Sequence, residues 1–225
     1  MNWNDHSKLA GKHALLSPSN YHWLHYDKDE TNEALYSRYL SKYSQDIGTI
    51  VHEFACKRIK LGQLYPDRMM LNKRDIDEVF FYLVDKGIPG NAIDLEYFYE
   101  SLLYYVNDGI GYRMDPEVVL YYSDNCYGTT DSIRFDTSGG KKLLRIHDFK
   151  SGKTIASMEQ LQIYAALFCL EYGVKPRDID IELRIYQPDN MATMHPDVSD
   201  IVPIMDKIVS SDKFLIKIES EGILL

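Results

Sequence analysis

Residues 127–154, YGTTDSIRFDTSGGKKLLRIHDFKSGKT, decide how the chain is read. Segments 127–135 and 142–150 alternate or carry β-branched residues, and DTSGGK separates them, which predicts a hairpin. A two-residue Gly139-Gly140 turn sets Ser138 opposite Lys141, Phe135 opposite Leu144, Ile133 opposite Ile146 and Asp131 opposite Asp148. Period two then gives Asp131, Ile133, Phe135, Leu144, Ile146, Asp148 and Lys150 one face, and Ser132, Arg134, Arg145 and His147 the other. Two carboxylates thus sit at the end of an apolar face with Cβ atoms about 5 Å apart. Like charges in that position repel, and partial burial raises the cost. A hard divalent cation with oxygen ligands would neutralise them, and Lys150 adds a positive charge on the same side. The plainer reading is of two strand-end aspartates that bond turn amides, and a bulge would break the register.

The tail of the same stretch, Gly152-Lys153-Thr154, reads like the end of a phosphate-binding loop. Such a loop needs a glycine five residues before Gly152, where the backbone must turn its N–H groups toward phosphate. That position is His147, which argues against a nucleotidase. Asp148-x-Lys150, in contrast, is the only acid-x-Lys tripeptide in the chain. Alone it is weak; its force comes from the earlier carboxylate on a paired strand.

The chain has 225 residues, 45% hydrophobic and 26% charged, enough for one domain with a sizeable core. Its longest apolar run, residues 164–170, is far too short to span a bilayer. The first residues lack the apolar stretch of a signal peptide. Cys56, Cys126 and Cys169 show no CxxC spacing, so neither a disulfide framework nor a zinc ribbon is expected, and a reducing cytoplasm is. A net charge of −9 argues against nonspecific coating of nucleic acid. Yet Lys141, Lys142, Arg145, Lys150 and Lys153 lie close together with Asp148 as the one intervening acid. They form either a local phosphate-binding patch or a solvated face.

The first 47 residues are polar and rich in Tyr, with a helix start at LLSPSNYHWLHY that has Ser17 as cap and Pro18 in the first turn. GTIVHEFACKRIKL, 48–61, has helical spacing, and two amphipathic helices follow near 76–86 and 95–107. Strands are expected at 117–122, 127–135 and 142–150. A helix over 157–172 ends at Gly173. DIDIELRIYQ alternates as a strand, and the tail from 197 suggests a helix and a short strand. The order predicts an α+β fold, a mixed sheet flanked by helices. Three more residues draw notice. His52 stands one turn after Gly48 on a helix. Gln160 and Tyr164 share a helical face at i, i+4, although Ser157-x-x-Gln160 also reads as a capping box and Tyr164 as core. Glu53 reads as a surface residue.

Taken in order, SPSNYHWL, GTIVHE, GTTDSI, HDFKSGK and QLQIY resemble the PD-(D/E)XK nuclease superfamily, in its RecB-like branch of phage exonucleases and CRISPR adaptation nucleases. The resemblance covers roughly 15–190. It implies one restriction-endonuclease-like domain over 1–225, with a helical part at about 1–112 and a catalytic sheet at about 113–190. It implies one or two Mg²⁺ or Mn²⁺ ions held by His52, Asp131, Asp148 and the carbonyl of Phe149. Lys150 would act on the attacking water or the phosphate. Ser151 and Lys153 would touch the DNA backbone, and Gln160 and Tyr164 match a Q-x-x-x-Y motif beside the DNA. Many relatives carry four cysteines for an iron–sulfur cluster; here no cysteine follows Cys169, so no cluster is expected. The implied activity is DNA phosphodiester hydrolysis, with an exonuclease favoured over an endonuclease or a silent DNA-binding module. A single-strand annealing protein and a homo-oligomer are conceivable partners by analogy, and a membrane is not.

Overall fold

The computed structural model describes residues 33, 36, 40, 41, 43–138 and 142–221. The expected helix start at Ser17 and Pro18, the SPSNYHWL motif, the Gly139-Gly140 turn and Lys141 lie outside the described residues. The fold is α+β: helices, then a five-stranded mixed sheet with a helix crossing over it, then a terminal helix. Helix α1 (Ser44–Gly62), the short α2 (Pro66–Met69), α3 (Ile76–Asp85) and α4 (Leu95–Gly111) precede strands β1 (Asp115–Ser123), β2 (Cys126–Asp136) and β3 (Leu143–Phe149). Helix α5 (Glu159–Tyr172), β4 (Asp180–Tyr186), β5 (Ala192–Met194) and α6 (Val198–Glu221) follow. The strands lie in chain order across the sheet. All neighbours are antiparallel except β3 and β4, whose parallel pairing requires the crossover that α5 supplies.

Each face of the sheet is covered. On one side, α1 buries Ile47, Val51, Phe54 and Ile59, and α4 buries Phe98, Leu102, Tyr105 and Val106, all packed with Phe149 and Tyr186. Gly109 lets the two helices approach: a Cβ there would meet Ile59 Cδ1 at 2.6 Å. On the other side, Leu161, Ala165, Leu167 and Phe168 of α5 cover Ile133, Leu144, Ile146, Leu183 and Ile185.

The hairpin register agrees with the sequence reading wherever pairs are described. Ser132 pairs with His147, Ile133 with Ile146, Arg134 with Arg145 and Phe135 with Leu144. Three expectations are corrected. The helix expected from Gly48 begins at Ser44. The described part of the tail forms one long helix, Val198–Glu221, and a short strand, β5, precedes it. The Ser157–Gln160 capping box does not form: α5 begins with no side-chain cap, and Ser157 Oγ accepts from Glu159 N instead. Among the described residues, no helix is long and apolar enough to cross a membrane.

Candidate metal centre

The ladder between β2 and β3 ends at the Ser132–His147 pair. One step beyond, Asp131 replaces the missing backbone acceptor, and its Oδ2 takes the Phe149 N–H at 2.9 Å. Helix α1 brings His52 to the same oxygen, Nδ1 to Oδ2 3.3 Å. Asp148 points inward at the end of β3 with its side chain 4% exposed, and the Lys150 ammonium lies 3.1 Å from its Oδ1 and 3.0 Å from its Oδ2. Oδ2 is fully enclosed yet receives no hydrogen bond of acceptable geometry. The Lys150 backbone N–H extends the parallel pairing by one bond, to Tyr186 O at 2.9 Å. Lys150 is therefore held by its main chain, while its side chain, 34% exposed, stands at the rim.

Burial sets the electrostatics. Together with the Asp131 charge, and against the opposing pull of Lys150, it pushes the Asp148 carboxyl up to about 7. Burial also raises Asp131, partly offset by the Phe149 amide. His52 is lowered from its ordinary value by burial, which favours the neutral imidazole. The acids thus repel each other in a partly dehydrated place, and one of their oxygens has no hydrogen bond. This donor set fits a hard divalent cation. Among the described residues, no three His, Cys, Asp or Glu side chains form a ready-made cage. His52 is engaged with Asp131, so it would have to turn from that contact to become a ligand.

The other expected residues flank this centre on two sides. On the α5 side, Gln160 Oε1 lies 3.5 Å from the Lys150 ammonium. Tyr164 donates its hydroxyl to Thr129 O at 2.6 Å. Its ring lies over Gly128, where a Cβ would stand 2.9 Å from Tyr164 Cε1. On the α1 side, Ser151 and Lys153 line a groove of about 520 Å³ with Ser44 and Tyr97, and the Lys153 ammonium sits 5.3 Å from the Tyr97 ring centre. Glu53 lies outward, ion-paired with Lys57 and Lys86.

Sequence reasoning missed two supports and one neighbour. Gln187, 2% exposed, donates to Gly152 O and Thr154 O at 2.7 and 2.6 Å and accepts from Ala156 N at 3.1 Å. The SGKT run is therefore pinned from beneath by a side chain. Under β3, Tyr186 donates to Asp108 Oδ2 at 2.5 Å, its hydroxyl lies 3.2 Å from His147 Nδ1, and His147 Nε2 reaches Glu182 at 3.2 Å. The neighbour is Glu117 on β1, which no motif marked.

No family model and no curated protein matches the chain. The crystal structure of SSO0001 aligns over 71% of this chain and 74% of its own, at 13% identity and a TM-score of 0.28. So loose a likeness carries no argument.

Proposed function

We propose that the chain is a divalent-cation-dependent nuclease that hydrolyses DNA phosphodiester bonds, with attack from a DNA end favoured. The observation that carries this reading is the buried Asp131–Asp148 pair with Lys150 at its rim. Asp131 and Asp148 would hold Mg²⁺ or Mn²⁺, with the Phe149 carbonyl and a reoriented His52 as further ligands. When bound, the cation supplies an acidified water and neutralises charge on the phosphate.

The protein's own groups do the rest. Asp148 now holds the Lys150 ammonium in an ion pair at 3.0 Å. Once Asp148 is neutralised by a cation, that ammonium becomes available to a phosphate oxygen or to the attacking water, and it offsets the negative charge that grows at phosphorus. Gln160 limits where it can swing. Before a cation binds, His52 steadies Asp131 through the 3.3 Å contact. Ser151 and Lys153, on a loop fixed by Gln187, would hold the sugar-phosphate backbone alongside.

The test is digestion of end-labelled linear duplex, single-stranded DNA and closed circles with Mg²⁺, Mn²⁺ or EDTA, against Lys150→Ala. The expected result is metal-dependent loss of linear DNA by the wild type alone, with the circle spared. Nicked circles would make it an endonuclease. DNA bound but uncut with every metal would overturn the enzyme reading in favour of a binding module.

A further inference from the structure

We propose that the groove beside the metal centre takes an unpaired DNA strand, with a nucleobase stacked on Tyr97 and its phosphate held by Lys153, so that the protein prefers single-stranded or frayed ends to intact duplex. The inference rests on the nuclease reading above and deepens it by naming the form of the substrate.

Three segments build the groove. Ser44 and Ile47 come from α1, Ala92 and Tyr97 from the start of α4 and the turn before it, and Ser151 and Lys153 from the loop after β3. Its volume of about 520 Å³ suits one enclosed small unit, such as a nucleotide. Ser151 directly follows Lys150, so the groove opens within one residue, about 3.8 Å of chain, of the group proposed to act at phosphorus. Helix α1 closes on the same point: a Cβ at Gly48 would meet Ser151 Oγ at 3.4 Å. His52 stands one helical turn further along α1. Groove and metal centre are therefore continuous, and a strand lying in the one leads into the other.

The walls divide by chemistry. Ser44, Ser151 and Lys153 offer hydroxyls and a positive charge, which suit a phosphate. Ile47, Ala92 and Tyr97 offer apolar and aromatic surface, which suits a base. Among the described residues that line the groove, Asp94 is the one acid, and it is engaged: its Oδ1 accepts the Tyr97 N–H at 3.3 Å and anchors the first turn of α4. The Tyr97 side chain is half-buried, and the Lys153 ammonium sits 5.3 Å from its ring centre. At an exposed lysine such a contact is weak. An arriving phosphate draws the ammonium into a stronger, charge-assisted hydrogen bond. The ring face it leaves is then open to a base, so one nucleotide engages both members of the pair. Gln187 already holds Gly152 O and Thr154 O at 2.7 and 2.6 Å, so little ordering of the loop remains for the strand to drive.

Strandedness follows from the ring. Within a duplex each base is covered on both faces by its neighbours in the stack, and a side chain can stack only on a base that has left it. A site built on Tyr97 thus selects unpaired nucleotides.

Fluorescence anisotropy in EDTA, where no metal supports cutting, tests the proposal with labelled oligothymidylate and with a blunt duplex, on the wild type, Tyr97→Ala, Tyr97→Phe and Lys153→Met. A 2-aminopurine base in the single strand reports stacking by its quenching. The wild type is expected to bind the single strand more tightly than the duplex and to quench the probe. Tyr97→Ala should lose about 5–100-fold in single-strand affinity, together with the quenching, and leave duplex affinity nearly unchanged. Tyr97→Phe should restore both, because the ring alone is needed. Lys153→Met should weaken the single strand and flatten its salt dependence. A folded Tyr97→Ala that binds and quenches like the wild type overturns the site. Equal or absent binding of the two DNA forms, by a wild type that still digests linear DNA with Mn²⁺, overturns the site and leaves the nuclease reading standing. Absent binding together with absent digestion overturns both.

Discussion

Asp148→Asn should make the metal-free protein more stable at pH 8 while weakening its response to metal. In the folded chain, burial pushes the Asp148 carboxyl from about 3.8 to about 7. The folded state therefore holds a proton that the unfolded state releases. The favourable contribution is fully present below about pH 3.8 and is lost as pH rises through about 7. At pH 8 the wild type carries an ionised Asp148 in a place that resists it. The shift corresponds to about 4 kcal/mol, an upper bound because Asp131 titrates with it. Asparagine keeps the shape and removes the charge. The freed Lys150 is partly exposed and can turn to water at little cost. Urea unfolding at pH 5 and pH 8, in EDTA and in millimolar Mn²⁺, reads the effect. In EDTA, Asp148→Asn should gain about 1–4 kcal/mol at pH 8, and the gain should shrink as the pH falls to 5. Mn²⁺ should stabilise the wild type, as any ligand specific to the native state does, and should stabilise the variant less. A variant less stable than wild type at pH 8 in EDTA would refute the reasoning, because the pair would then be a net support of the fold rather than a strained site.

Three further outcomes follow. Lys150→Met should retain Mn²⁺ affinity within about three-fold while cleavage falls by about 10²–10⁴, as the proposed role of the ammonium at the phosphate requires; parallel calorimetry and single-turnover digestion separate the two. Gly109→Ala should cost about 1–3 kcal/mol in urea unfolding, because its methyl group would run into Ile59 at the α1–α4 crossing. Gly128→Ala should displace the Tyr164 ring and weaken DNA binding, with metal affinity unchanged; fluorescence anisotropy beside a Mn²⁺ titration checks both.

The hairpin was legible because two strong local signals agree there, a Gly-Gly turn and a period-two pattern, and a register leaves little freedom once its turn is set. Asp131 and Asp148 follow from that register. His52, Gln160 and Tyr164 were legible only through resemblance: a helix spacing names a face but not what the face meets. Ser157 and Gln160 misled because a capping box and a lysine-holding glutamine share one spelling, and Lys150 supplies Gln160 with another partner. The face of Arg145 and His147 carried no sign of its partners in the sequence, whereas α4 covers it and Glu182 pairs with both groups, itself paired with Arg184, which reaches Asp108. Such pairing joins residues far apart in sequence, and no local pattern announces it. Glu117 was hidden because the β1–β2 connection, SDNC, carries no clear two-residue turn, and that ladder shifts register between Tyr121 and Ser123.

The two acids and the histidine come together over very different lengths of chain. Asp131 and Asp148 lie on adjacent arms of one hairpin, an element that closes within about 1–10 μs. His52 reaches them only after α1 has docked across the whole helical region, a slower search through a much larger loop. During folding the carboxylates therefore meet before their histidine arrives, in a hairpin still open to water and ions. A cation captured at that moment would hold the arms together against their own repulsion. Refolding rate would then depend on divalent ion concentration, with the first hairpin rungs acting as the sensor.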